Sequence, residues 1–331
     1  MTMKKIILSS VAAAFVLLMT SCDKRGKNDI DPPGIRDNIV KVAEKQEDLT
    51  VFVAALKAAG MDTTFDYLGF KTIFAPTNAA FSAIGVNASN VGTALPVATL
   101  RAVLRYHMLN GSLPASNLAP GPNAVYATLQ QGENIFTSTY STVNAGTWFN
   151  GRARVVATDL RANNGLIHKI NAVLLPPPGN LWETINANSN LTFLAAAITR
   201  ANLVTAFNST TVLNLFAPTN AAFQALGFPD IASITATNPA VLSEVLRYHV
   251  ITSTFLNQPI GTTFGLRGRL FSVDLRNGMV MTTLQGGTVT VSTTGGASVR
   301  GNGNPANSNI TAADLIARNG VIHVIDRVLL P

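Results

Sequence analysis

The side chains able to do chemistry are few, and they come in matched sets. The four histidines are His107 and His249, each closing a Leu-Arg-Tyr-His run, and His168 and His323, each separated from a preceding Asn-Gly pair by two apolar residues. Histidine can transfer protons near neutral pH or bind a metal. A zinc site, however, needs three or four grouped His, Cys or carboxylate ligands, and each of the two repeats has two scattered histidines and no cysteine. No Gly-x-Ser-x-Gly elbow is present for a serine nucleophile, and no Gly-x-x-x-x-Gly-Lys loop for a phosphate. In the second half Glu183, Asp230, Glu244, Asp274, Asp314 and Asp326 are too dispersed to suggest a glycosidase pair. No catalytic residue, metal or cofactor is expected, and the chain reads as a non-enzyme.

A helical wheel sharpens the reading of the histidines. His107 falls in the middle of the apolar face formed by Leu100, Val103 and Leu104, and His249 has the same setting among Leu242, Val245 and Leu246. A buried ring nitrogen without a partner would cost roughly 2–7 kcal/mol, so each must find one. A core-tethering histidine satisfies that need, and a ligand-facing one is the alternative.

The matching of sites comes from duplication. FAPTNAAF occupies residues 74–81 and returns unchanged at 216–223, an offset of 142. The same offset relates Leu100-x-x-Val-Leu-Arg-Tyr-His to its copy at 242–249, whereas DLRANNGLIHKINAVLLP (159–176) and DLIARNGVIHVIDRVLLP (314–331) are 155 apart. The second copy thus carries thirteen more residues (155 less 142) between its matching blocks, as expected of a surface-loop insertion. Each repeat has the size of a domain, and the stiff run LLPPPGN at 174–180 marks the boundary. The expected divisions are 1–21, 22–35, 36–176 and 177–331.

Ahead of the repeats, Lys4-Lys5, an apolar run from Ile6 to Met19 and small residues before Cys22 read as a secretory signal. The run is too short to span a bilayer. Cys22 resembles the lipidated cysteine of a bacterial lipobox, and an ordinary signal peptide with an incidental cysteine is the alternative. Cys22 is the only cysteine, so no disulfide supports the domains. Residues 22–35 then form a polar tether. The formal net charge is +7, but residues 35–178 hold 11 basic against 8 acidic side chains and 179–331 hold 8 against 6, without a basic cluster. Nucleic-acid binding needs several phosphate-neutralising side chains on one surface, so no nucleic-acid partner is expected.

Local signals position the candidate residues. Asp48 is a plausible N-cap for a helix ending at Gly60, and 72–75 reads as a strand stopped by Pro76. Thr77 or Asn78 would cap a short helix carrying Ala80, Phe81 and Ile84, ended by Gly85, with Phe81 and Phe223 as core anchors. A longer helix is expected from about 96 to 109, and strands at 166–175 and 288–291. Asn164-Gly165 and Asn319-Gly320 read as tight turns. Helices first and strands later argue for α+β domains.

Three blocks in order, TIFAPTNAAFSAIG, LRYHMLNG and NGLIHKINAVLLP, and their second-copy counterparts NLFAPTNAAFQALG, LRYHVITS and NGVIHVIDRVLLP, resemble the fasciclin (FAS1) domain over residues 36–331. The resemblance implies two tandem α+β domains, each a wedge-like β-sandwich flanked by helices, with adhesion or binding in place of catalysis. It also implies contact roles for a Tyr-His pair, matched by Tyr106-His107 and Tyr248-His249, and for an acidic motif, of which Asp159-Leu160 and Asp314-Leu315 keep only the core. Specificity is expected in the copy-variable stretches 112–154 and 252–309, and Trp148 is either an aromatic platform for a glycan or a packing residue. The expected function is a lipid-anchored adhesion or binding protein of a bacterial cell envelope, at the outer membrane or cell surface. Its membrane contact is the lipid on Cys22, and its ligand an unnamed protein or polysaccharide. A periplasmic structural or assembly lipoprotein and a glycan-capture accessory of an outer-membrane transporter are the alternatives.

Overall fold

The structure, a computed structural model, describes residues 36–63, 69–252 and 268–331. Cys22 and the segments before it lie outside the described residues. The first domain contains α1 (Ile39–Glu44), α2 (Thr50–Ala58), β1 (Lys71–Pro76), α3 (Asn78–Ser82), α4 (Val97–Tyr106), β2 (Met108–Asn110), β3 (Gly121–Ala127), β4 (Asn134–Tyr140), β5 (Gly146–Phe149), β6 (Ala153–Ala162) and β7 (Gly165–Ile170). The second repeats the plan with α5 (Leu181–Asn186), α6 (Thr192–Arg200), α7 (Val204–Asn208), β8 (Leu213–Pro218), α8 (Asn220–Ala225), α9 (Ile231–Ala236), α10 (Pro239–Tyr248), β9 (Val250–Thr252), β10 (Val280–Thr282), β11 (Thr288–Ser292), β12 (Ser298–Gly301), β13 (Ser308–Ala317) and β14 (Gly320–Ile325).

Each domain builds one seven-stranded sheet, ordered β2-β1-β7-β6-β5-β4-β3 and β10-β11-β12-β13-β14-β8-β9. The central pairs, β1 with β7 and β14 with β8, are parallel, and the remaining pairings are antiparallel. The long strands β6 and β13 carry register shifts, where bulges bend a sheet. The bend lets the sheet close on itself: Phe74 of β1, Ile135 of β4, Phe149 of β5 and Ile170 of β7 share one core. On the other face of β1, Ile73 and Ala75 pack under Phe52, Leu56, Leu100 and Leu104 of the helices. With apolar matter on both sides, β1 is buried along its whole length and shows no alternation. The α+β class and the tandem arrangement expected from the sequence are what the chain adopts.

Several local expectations change. Asp48 does not cap α2, whose N-cap is Leu49; it pairs instead with Lys169 at 2.6 Å. The helix expected to reach residue 109 ends at Tyr106, because His107 is its C-cap and Met108 already begins β2. Thr77 caps α3, but α3 stops at Ser82 and Ile84 is exposed. Strand β7 ends at Ile170, short of residue 175.

The Asn-Gly pairs also work differently from the expected turn. Ala162 pairs with Gly165 and Ala317 with Gly320, so the two-residue loops are Asn163-Asn164 and Arg318-Asn319. Each glycine is the first residue of its strand. A Cβ on Gly165 would stand 2.2 Å from the Lys71 carbonyl oxygen, and one on Gly320 2.1 Å from that of Leu213. Close approach of the parallel neighbour, rather than turn conformation, requires glycine at both positions. The preceding asparagines cap from a distance: Asn164 Oδ1 accepts from Ile39 N at 2.8 Å, and Asn319 Oδ1 from Leu181 N at 2.7 Å.

Candidate functional site

The histidines lie inside and hold backbone. His107 Nδ1 donates to the Val103 carbonyl at 2.8 Å, and its Nε2 accepts from Leu174 N at 2.9 Å. His249 does the same with Val245 and Leu329, at 2.7 and 2.8 Å. Each ring ties the end of a helix to the last segment of its domain. Burial holds both rings neutral by lowering their pKa to about 4. The inward placement read from the helical wheel is therefore correct, and neither Tyr-His pair can present a contact surface in this fold, since Tyr106 and Tyr248 are also fully buried.

The tyrosines brace the strand-rich half. Tyr106 Oη donates to the Asn134 carbonyl at 2.9 Å and accepts from Asn150 Nδ2 at 3.0 Å, and Asn150 Oδ1 in turn accepts from Phe136 N. Tyr248 Oη donates to the Thr288 carbonyl and accepts from Asn302 N at 3.0 Å.

His168 and His323 act together with the acidic candidates. His168 Nε2 donates to the Leu113 carbonyl at 2.9 Å, and Asp159 accepts from Ala115 N at 3.1 Å. In the second domain His323 Nε2 donates to the Leu270 carbonyl at 2.8 Å, and Asp314 Oδ1 accepts from Ser272 N at 2.7 Å. Each His-Asp set thus pins one loop by its backbone. Asp159 and Asp314 both have left-handed backbones, φ 56° and 60°, within the bulges of β6 and β13, a conformation Asp tolerates better than most residues. Asp159 is half-buried and Asp314 is buried, so the acidic positions are fold elements first.

The repeated FAPTN motif has a second job that the sequence did not disclose. Asn78 Oδ1 accepts from Val51 N at 2.9 Å, and its Nδ2 donates to the Glu47 carbonyl and to Thr50 Oγ1 at 3.0 and 2.9 Å. Asn220 reproduces all three bonds with Phe193, Ser189 and Thr192, each at 3.0 Å. Thr77 and Thr219 cap their own helices, while the asparagines clamp the start of α2 and α6.

The copy-variable stretch 112–154, expected to carry specificity, is largely engaged within the molecule. Its residues from Glu133 to Gly151 meet the second domain. Glu133 receives Arg318 Nε at 2.8 Å, Tyr140 Oη donates to Asp274 at 2.7 Å, and Asn144 Nδ2 donates to the Val273 carbonyl at 2.9 Å. The Arg269 guanidinium sits 4.1 Å over the Phe136 ring, and Phe136 packs with Phe271, Val273 and Val321. Burial lowers the Arg269 pKa to about 10 and raises that of Asp274 to about 6. Trp148 packs against this same cluster and donates its indole N–H to the Asn144 carbonyl at 2.8 Å, which favours the packing reading over a free platform. Of the longer counterpart stretch, 253–267 lies outside the described residues.

Between the β4–β5 hairpin tip and the segment after Ser272, both domains wall a cleft of about 590 Å³. Asn144 and Val143 stand on one side, and Arg276, Asn277 and Thr293 on the other. Among the described residues no group of three or more His, Cys or carboxylates is placed to hold a metal ion.

Comparison with known proteins agrees with this architecture. The fasciclin domain model matches residues 47–176 and 189–331. The chain is 28% identical over 267 residues to the transforming growth factor-beta-induced protein ig-h3 of Sus scrofa, covering 80% of this chain and 35% of that protein. It is 28% identical to human periostin over 271 residues, 80% of this chain and 28% of that protein. The chain therefore spans about a third of the length of these larger relatives. Protein sll1483 of Synechocystis sp. is 35% identical over 141 residues, which are 42% of this chain and 73% of that one. Among solved structures, a FAS1 domain pair from the insect cell adhesion molecule Fasciclin I aligns with 85% of this chain and 96% of its own, at 18% identity and a TM-score of 0.40. With the family model matching both repeats, the chain belongs to the fasciclin domain family and consists of two tandem FAS1 domains.

Proposed function

We propose that this chain is an extracytoplasmic binding protein, tethered to a bacterial cell envelope through a lipid on Cys22, whose paired FAS1 domains recognise a protein or glycan partner. The observation that carries this reading is how the reactive side chains are used. Every histidine has at least one ring nitrogen hydrogen-bonded to backbone in the interior, so none is presented to a substrate. What the pair offers outward is hydrogen-bonding surface and a concave junction, features suited to recognition. The envelope location rests on the basic start, the short apolar run and the position of Cys22.

The test is protease treatment of intact cells beside lysed cells, following a C-terminal tag. Loss of the tag from intact cells is the expected result. Protection until lysis would place the domains in the periplasm and replace recognition outside the cell with envelope assembly. Replacing Cys22 by Ser should release the chain from the membrane fraction, and retention would remove the lipid anchor from the reading.

A further inference from the structure

We propose that the cleft between the two domains is a saccharide-binding site whose anchor is Arg276. The inference deepens the binding-protein reading and rests on it. The cleft has the size of small-molecule sites, which commonly form where domains meet. Its walls come from both domains, so the junction that fixes the domains also fixes the site.

The anchor is held before any ligand arrives. Arg276 Nη1 donates to the carbonyls of Val273 and Leu275 at 2.7 and 3.0 Å, and its guanidinium lies 4.5 Å over the Tyr140 ring. The guanidinium also interacts with the Tyr140 hydroxyl, and the donors it does not use there or on the two carbonyls line the cleft from an immobilised group. Such preorganisation removes an entropic cost of binding.

The neighbours offer the rest of a hydroxyl-recognition set. Asn277 Oδ1 accepts from Thr293 N at 3.2 Å, which orients the amide and leaves Nδ2 as a donor. Asn144 Nδ2 donates to the Val273 carbonyl, which leaves Oδ1 as an acceptor. The Thr293 hydroxyl is exposed and can serve in either sense. Sugar hydroxyls both donate and accept, and therefore fit a mixed set, while Val143, Leu275 and Ala297 supply apolar wall for ring C–H groups.

Electrostatics selects a neutral ligand over an anionic one. No carboxylate lines the cleft, but Asp274 lies behind Tyr140 and Asp314 behind Ser272, each hydrogen-bonded to that residue. These two buried acids offset the single cation, so an anion finds little net attraction. Hydrogen bonding then decides affinity, and the occupant it favours is a neutral oligosaccharide.

The experiment uses the purified full chain on an array of neutral and uronic acid-containing glycans, with hits measured by calorimetry. A neutral glycan should bind. Arg276→Gln should weaken it by about tenfold or more, the loss of hydrogen bonds to a charged donor. Asn277→Ala and Thr293→Val, at exposed positions, should each weaken it less, and Arg300→Gln, outside the cleft, should leave it unchanged. Binding of uronic glycans alone, equal binding by Arg276→Gln and Asn277→Ala, or no glycan bound at all would each overturn the proposal. Capture of a protein from the surrounding medium with no glycan bound would sink the saccharide site while sparing the binding-protein reading. A chain protected inside the periplasm would count against that reading independently.

Discussion

Gly151 of the first domain lies directly against the carboxyl group of Asp314 in the second: a Cβ on Gly151 would stand 2.7 Å from the Asp314 carboxyl carbon and 2.8 Å from each oxygen. Asp314 cannot retreat easily, because it holds Ser272 through both the backbone amide and the hydroxyl. Gly151 also has φ 70°, a conformation that costs an L-residue about 1–2 kcal/mol. Gly151→Ala should therefore lower thermal stability by more than this backbone cost and expose the junction to proteolysis. Gly132→Ala is the control, since φ there is 80° with nothing within 4 Å of the added Cβ. Equal effects of the two substitutions, measured by calorimetry and limited proteolysis, would show that the close approach contributes nothing.

The asparagine clamps give a second prediction. Asn78→Ala removes three hydrogen bonds at the start of α2 and leaves Val51 N and the Glu47 carbonyl without that partner. At about 1 kcal/mol per bond, the expected loss is about 2–4 kcal/mol in denaturant unfolding. Asn78→Asp keeps the acceptor for Val51 N and loses both donors, so it should fall between wild type and Asn78→Ala. Asn220→Ala should repeat the loss in the second domain. A change below about 0.5 kcal/mol, the size of ordinary surface substitutions, would refute the clamp.

Much of this architecture could be read from residue types, and the exceptions have physical causes. The duplication, the strand stop at Pro76, the cap at Thr77 and the inward histidines all depend on local chemistry or on helical periodicity, which a sequence displays directly. Asn78 was legible only as an alternative cap for its own helix, because its true partners lie some thirty residues away and differ from it in type. The glycines of the Asn-Gly pairs looked like turn residues for the same reason: the atom that excludes a side chain belongs to a parallel strand far earlier in the chain, at Lys71 for Gly165 and Leu213 for Gly320. The junction was the least legible feature. Sequence variability between the copies suggested a ligand surface, whereas Phe136, Tyr140 and Trp148 differ from their counterparts because only one copy of that face is covered by a neighbouring domain.

Acidification should destabilise the pair through its buried histidines. His107 and His249 have folded pKa values near 4, below the ordinary 6.5, so the unfolded chain takes up their protons first. Their contribution is fully present above about pH 6.5 and is lost as pH falls toward 4, by at most about 1.4 kcal/mol per pH unit for each ring. Asp274 acts in the opposite sense. Its folded pKa, raised to about 6, makes its contribution greatest below about pH 4 and diminishes it as pH rises through 6. Two histidines outweigh one aspartate, so stability should fall on going from pH 6.5 to 4.5. Asp274→Asn should make that fall steeper by removing the opposing term. Denaturant midpoints across this range decide the matter, and a flat profile in the wild type would contradict the buried neutral histidines.

The junction should not propagate into larger assemblies, although its geometry permits it. The β4–β5 face of the first domain docks on the loop and strand end around 269–276 and 314–321 of the second, two different surfaces, and such heterologous contacts continue indefinitely when both remain available. Here the unused counterparts are polar. The outward positions on β11 and β12 are Thr288, Thr290, Ser292 and Arg300, where the docked face has Phe136, Tyr140 and Trp148. In the first domain the surface matching 269–276 carries exposed Ser116 and Asn117, with Arg161 in place of Ile316. Polar outer faces on terminal repeats keep tandem arrays soluble and finite. The chain should therefore sediment as a monomer at every concentration tested. Thr290→Phe with Arg300→Trp and Arg161→Ile should introduce concentration-dependent self-association. Concentration-dependent growth in the wild type would mean that the polar faces do not act as caps.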